Sequence, residues 1–150
     1  MSRVRLPAHV LNKKEEEMSA TTRETVDALF SRIAADDFAG AGELFADEVD
    51  WDIPGATEIV PWIGRRRTGV EAGEFYAGLD DYLERDVFEV ERIFVDGDEA
   101  VAVGHLRSIV RATGGVIETP FAIRMTVNAG RITRYLILED SYQVAAAAGR

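Results

Sequence analysis

The chain contains no cysteine. Disulfides, cysteine nucleophiles and thiolate metal sites are therefore excluded. Histidine is almost as scarce, with only His9 near the start and His105 in the second half. One histidine in a structured region, with no spaced set of ligands around it, predicts no metal site. There is no G-x-S-x-G, no P-loop and no G-x-G-x-x-G. Neither a serine nucleophile nor a nucleotide cofactor is expected, and no other cofactor is implied. No window approaches about 18 uninterrupted apolar residues, so no transmembrane helix is predicted. Arg3 and Arg5 are not followed by the apolar stretch of a secretory signal. With the missing cysteines, this makes the cytoplasm the expected compartment.

Positive charge is also in deficit. Lys and Arg number 17 against 27 Asp and Glu, a formal net charge of −10. Such a surface repels phosphate backbones, so a nucleic-acid partner is not expected. The one dense basic cluster, Arg65-Arg66-Arg67, lies between Gly64 and Gly69. It reads as a solvated turn rather than an anion site. What the chain does have is 47% hydrophobic residues over 150 positions, enough for one domain with a real core.

Residues 1–20 read as a disordered tail, because Lys13-Lys14-Glu15-Glu16-Glu17 is a charge run with no apolar face. Met18 is a candidate native start. Thr21-x-x-Glu24 has the form of a capping box. Val26, Leu29, Phe30 and Ile33 then mark one helical face. A second short helix is expected over Phe38 to Phe45, weakened by Gly40 and Gly42. Val49, Trp51 and Ile53 alternate with Asp50 and Asp52 as a half-buried strand, stopped by Pro54-Gly55. Residues 56–68 form a loop. A third helix is expected from about Gly69 to Arg85, burying Val70, Phe75, Leu79, Tyr82 and Leu83.

Strands follow: Phe88 to Val95, Ala100 to Arg111, Val116 to Val127 and Arg131 to Tyr142. Asp96-Gly97, Gly114-Gly115 and Asn128-Ala129-Gly130 supply the turns. Residues 145–150 read as a frayed tail, leaving one domain at 21–144. Three helices before an antiparallel meander predict an α+β fold, a curved sheet wrapping helices. The last strand carries Leu136 and Leu138 on one face, and Tyr135, Ile137 and Glu139 on the other. Apolar side chains on both faces predict that a second subunit covers one of them, making a homodimer.

Several pieces stand in a recognisable order: Phe45-Ala46-Asp47-Glu48, Trp51-Asp52-Ile53-Pro54-Gly55, Pro61-Trp62-Ile63-Gly64, Phe75-Tyr76, Arg107 to Gly114, and Gly130-Arg131-Ile132 with Glu139-Asp140. Over residues 21–144 this order resembles the SnoaL-like, ketosteroid-isomerase-like branch of the NTF2-like superfamily. The resemblance implies an NTF2-like cone: three N-terminal helices on a curved, mainly antiparallel sheet that encloses a pocket. It also implies a usually dimeric protein. Its functions range from isomerases, cyclases, dehydratases and epoxide hydrolases to non-enzymatic binding modules.

The resemblance also places the catalytic positions. Ketosteroid isomerase uses an Asp base with a Tyr and a protonated carboxylic acid as oxyanion hole. Those positions correspond to Ile53, about Leu29, and Ile123, all apolar here. The Asp-Arg-Asp set of limonene-type epoxide hydrolases maps near Leu106, Ser108 and Ile137. Tyr76 matches a pocket tyrosine of the isomerase network.

The candidate chemistry is therefore sparse. Glu139, on the pocket-facing side of the last strand, is either a general acid–base with a raised pKa or a hydrated rim carboxylate. Tyr76 is either a hydrogen-bond donor to a ligand carbonyl or a half-buried tyrosine bonded elsewhere. Asp52 becomes a base if a one-residue bulge turns it inward; otherwise it faces solvent or the Arg65–Arg67 turn. His105 faces outward if Leu106 and Ser108 face the pocket, and is catalytic in the opposite strand phase. Trp51, Trp62, Phe75, Phe121, Ile123 and Tyr135 are the expected apolar walls, with Trp62 either at the mouth or in the core. Two functions follow from this pattern. One is acid–base proton transfer on a small hydrophobic, carbonyl-bearing or polycyclic molecule. The other is non-catalytic binding of such a ligand, or service as a dimeric interaction module.

Overall fold

The computed structural model describes residues 3–5 and 12–149. His9 lies outside them. Helix α1 (Lys13–Ala34) begins where Asn12 accepts a hydrogen bond from the Glu15 amide at 3.0 Å. The expected tail is thus helical from Lys13 onward. Thr21 is no cap, because its hydroxyl donates back to the Glu17 carbonyl inside the helix. The charge run forms an exposed first stretch of helix, and the acidic Glu15 and Glu16 suit its N-terminal dipole. Ser19 and Thr22 tie α1 to the Gly97 backbone, at 2.8 and 2.7 Å. Val26, Leu29 and Ile33 are buried, as their spacing requires.

Helix α2 (Phe38–Glu43) is capped by Asp37 and stops at Leu44, so Phe45 is already strand. Its glycines have a packing role. A Cβ on Gly42 would stand 3.1 Å from the Gly73 Cα of helix α3 (Gly69–Gly78), so the two helices meet backbone to backbone. Helix α3 is shorter than expected. A 3-10 turn at Leu79–Asp81 ends it, and strand β3 begins at Leu83. Tyr82, beyond the shortened helix, is 41% exposed rather than buried, and Val70, in its first turn, is 71% exposed.

The six strands are β1 (Phe45–Asp52), β2 (Arg66–Thr68), β3 (Leu83–Asp96), β4 (Glu99–Val110), β5 (Val116–Asn128) and β6 (Arg131–Glu139). They form one sheet in the order β2-β1-β6-β5-β4-β3. All neighbours are antiparallel except β1 and β6, which run parallel and join the first strand to the last. The short β2 falls within the segment expected to be loop. The helices lie against the inner face, and the fold is the expected α+β cone. No described helix is long and apolar enough to cross a membrane.

Strand phase decides what the sheet presents inward. On β5, Ile117, Phe121, Ile123, Met125 and Val127 are all buried, with their neighbours pointing out. Their β4 partners include Ser108, Gly104 and Ala102. His105 therefore lies on the outer face, 3.1 Å from Glu91. On β3 the register shifts between Val90 and Arg92. That extra residue changes the phase, so Phe88 and Val90 face inward before it, and Ile93 and Val95 after it.

A fourth helix, α4 (Ser141–Ala148), replaces both the expected end of the last strand at Tyr142 and most of the expected frayed tail. Asp140 caps it by accepting from the Gln143 amide at 3.1 Å. Val144 and Ala147 are buried, and the Ala147 carbonyl accepts from Thr113 at 2.7 Å. Alanine's high helix propensity and these inward contacts together hold the segment in place.

Candidate functional site

Helices α1 and α3, the β1–β2 loop, α4 and the inner face of β3–β6 surround a cavity of about 710 Å³. Its walls are mainly apolar. Phe30 and Ile33 come from α1, Phe75 and Tyr76 from α3, and Phe121, Ile123 and Ile137 from the sheet. Ile53 and Trp62 come from the loop, which is pinned by reciprocal hydrogen bonds between Ile53 and Gly64 at 3.0 and 3.2 Å. Gly64 has φ of 107°, a conformation that favours glycine. Trp62 is only 6% exposed, so it belongs to the wall.

Charged lining residues gather where α1 ends and β3 begins, and this marks the mouth. Asp36, Asp80, Glu84 and Asp86 stand there with Arg85 and Arg111. Arg85 bridges Asp80 at 2.9 Å and Asp36 at 3.8 Å. Arg111 donates to the Asp80 carbonyl at 2.7 Å. With Arg107, which pairs with Asp86, four carboxylates meet three guanidiniums, leaving the entrance slightly negative. That field disfavours anionic ligands.

Deeper in the cavity, Glu139 is the acidic group. It ends β6 opposite Phe121 of β5 and is half-buried. Its carboxyl has no hydrogen-bond or ion-pair partner among the described residues. Burial alone raises its pKa from 4.5 to about 7. Both protonation states are therefore well populated near neutrality.

Tyr76 also lines the cavity, but its hydroxyl is shared with Tyr135 in a buried hydrogen bond. Burial raises the pKa of both phenols, so both stay neutral. Tyr135 and Trp51 do not reach the cavity. The parallel β1–β6 pairing sets them opposite each other, with their rings stacked at 4.5 Å. Phe45 packs edge-on against Tyr135, and Phe75 and Tyr76 cover Trp51. These two expected wall residues form an aromatic layer behind the wall.

Behind that layer, the Arg66 guanidinium lies 4.7 Å from the Phe75 ring centre and 5.7 Å from that of Trp51. Burial lowers its pKa, against the opposing fields of Glu71 and Tyr82. Asp52 points away from the cavity, with Oδ2 3.9 Å from Arg65. The register irregularities of β1 lie before Asp52 and do not turn it inward; Ile53 takes the cavity position.

Of the expected site residues, the structure brings Glu139, Tyr76, Trp62, Phe75, Phe121 and Ile123 to one cavity. It leaves Asp52, Trp51 and Tyr135 outside. Sequence reasoning gave Phe88, Val144 and the charged mouth no place in the site. For Val144 a signal existed: Asp140-x-x-Gln143 has the spacing of a helix start.

The model of the SnoaL-like domain family matches residues 26–135. Patulin synthesis protein F of Aspergillus clavatus is 29% identical over 102 residues, which are 66% of this chain and 52% of that protein. The chain spans about half the length of the curated relatives it matches. Among solved structures, an NTF2-like protein of Burkholderia xenovorans LB400 superposes with a TM-score of 0.77 at 20% identity, over 87% of this chain and 97% of that one. TerC, co-crystallised with polyporic acid, superposes with a TM-score of 0.71 at 16% identity, over 87% and 99% of the two chains. Identities this low speak for the fold alone.

Proposed function

Because the chain belongs to the SnoaL-like domain family of the NTF2-like superfamily, we propose that its cavity takes a small, neutral, mainly apolar molecule and that Glu139 moves a proton on it. The observation that carries this reading is one half-buried carboxyl, without a partner among the described residues, whose pKa is raised to about 7 by apolar walls. As a carboxylate it accepts a proton from carbon next to a carbonyl. As an acid it donates to an oxygen or to another carbon. A pKa near the working pH suits both directions of transfer. Isomerisation, cyclisation and dehydration of a carbonyl-bearing or polycyclic substrate all need such a group. The apolar residues at positions 29, 53 and 123 argue for a catalytic set unlike that of ketosteroid isomerase.

Hydrogen–deuterium exchange tests this without a known substrate. A panel of cyclic ketones and enones is incubated with the protein in D2O, and exchange at carbons beside the carbonyl is followed by NMR. Accelerated exchange is expected for some members, rising with pH through about 7 and lost in Glu139→Gln. Exchange that survives that substitution would remove Glu139 from the role.

A second reading, binding without turnover, is favoured by the Tyr76–Tyr135 hydrogen bond, which occupies the one tyrosine hydroxyl at the wall. Ligand binding with no exchange in any ketone would support it.

The homodimer belongs to the same proposal. Leu138, Phe94 and Val116 are 48%, 52% and 45% exposed on the isolated chain, and a second copy would cover such a surface. Sedimentation at micromolar concentration is expected to give a dimer, and a monomer alone would count against it.

A further inference from the structure

Ser108 lies on the inner face of β4, is only 4% exposed and lines the cavity. Its hydroxyl has no hydrogen-bond partner among the described residues and is not one of the fully buried unpartnered atoms, so it is open to the cavity. A hydroxyl open to the cavity bonds to water there, or to a ligand oxygen that takes the water's place. Its inward neighbours on β4, Leu106 and Val110, are apolar. Neither packing nor a protein partner accounts for the hydroxyl.

The register places this hydroxyl relative to Glu139. Phe121 pairs with both Gly104 and Glu139, so these three residues form one row across β4, β5 and β6. Ser108 stands four residues further along β4, beside Ile117. Four residues of strand span about 13 Å, and two strand spacings about 9.5 Å. In a flat sheet the two Cα atoms would be about 16 Å apart, and the curvature of the cone brings the inward side chains closer than that. The two polar groups thus mark separate ends of the chamber, with Phe121, Ile117 and Val144 among the apolar surface between them.

Resting on the proposed reading of Glu139, we propose that Ser108 is a second polar anchor and a specificity-determining residue. The ligand class is then an elongated, uncharged molecule with an oxygen function at each end. One oxygen meets Glu139 and the other exchanges hydrogen bonds with Ser108. The net negative mouth fits the absence of charge on such a ligand.

Two probes of similar shape test this, para-phenylphenol and para,para-biphenol, each titrated by fluorescence at pH 6. In the parent chain biphenol is expected to bind roughly five- to tenfold more tightly, the effect of one additional hydrogen bond. Ser108→Ala is expected to erase that difference and leave para-phenylphenol unchanged. Ser108→Thr, which keeps a hydroxyl, is expected to restore it. Glu139→Gln is expected to weaken both probes alike. A difference that persists in Ser108→Ala overturns the anchor and leaves the Glu139 reading standing. Equal affinities in the parent chain overturn it as well. If neither phenol binds the parent chain, the anchor and the neutral-ligand reading fall together.

Discussion

Glu139→Gln is expected to make the protein more stable above neutral pH, by up to about 3 kcal/mol at pH 8. The folded-state pKa of Glu139 is about 7, against an ordinary 4.5, and burial is the cause. Between these values the folded chain holds a proton that the unfolded chain has lost. The favourable contribution is fully present below about pH 4.5 and disappears as pH rises through about 7. Above that, the carboxylate must be carried unpaired in an apolar chamber. Glutamine has the same shape and never ionises, so it escapes this cost. Parent and variant should unfold at matching denaturant concentrations at pH 4 and diverge steadily toward pH 8. Urea titrations at several pH values measure this directly. A pH-independent difference would mean that Glu139 ionises as freely in the folded chain as in the unfolded one. The ketone exchange assay should move the other way, with the variant losing exchange. Gained stability with lost turnover is the signature of a group kept for chemistry rather than for folding.

Trp51→Ala should be the most damaging single change in the aromatic layer, at about 3–5 kcal/mol. Trp51 is 1% exposed and contacts the rings of Phe45, Phe75, Tyr76 and Tyr135. It also carries the Arg66 guanidinium near its face. Truncation removes one side of each contact and leaves a void that strand pairing on both sides of β1 keeps from collapsing. Its indole Nε1 is itself buried without a partner, as is Nη1 of Arg66. Trp51→Phe should therefore cost far less, since it keeps an aromatic ring and discards an unsatisfied donor. Chemical denaturation of both variants distinguishes the cases. Equal losses would show that the indole, rather than ring packing, holds the layer.

The strands were legible where alternation and turn chemistry agreed. Asp96-Gly97 and Asn128-Ala129-Gly130 do reverse the chain, with positive φ at Gly97, Ala129 and Gly130. The inward set on β5 follows from simple alternation. Legibility failed where a local signal competed with a remote one. Thr21-x-x-Glu24 has the composition of a cap, yet Asn12 had already started the helix and nothing at Thr21 breaks it. The run from Val70 to Arg85 keeps a rough helical period, but Gly78 and the following Leu79–Asp81 turn redirect the chain.

In the site, Glu139 was legible because it shares a face with Ile137 on a regular strand. Trp51 and Tyr135 share the inward phase of true lining residues. Only the parallel pairing of β1 with β6, and α3 lying over them, keeps them from the chamber. No pattern in one strand encodes which strand its neighbour will be. The same holds for Tyr76, whose partner lies on β6.

That parallel pairing also imposes an order of events on folding. The first strand in the chain, β1, has β6 as its inner neighbour, so most of the chain must be made before they can meet. Such distant pairing raises the contact order and slows folding. On the ribosome, β1 emerges beside only the three-residue β2, while its other edge stays unpaired. An edge waiting for its partner is where a nascent chain is most open to aggregation. The hairpins β3–β4 and β4–β5 depend on no such delay and are free to form as they appear. If the β1–β6 seam closes last, substitutions there should mainly speed unfolding and leave the folding rate little changed.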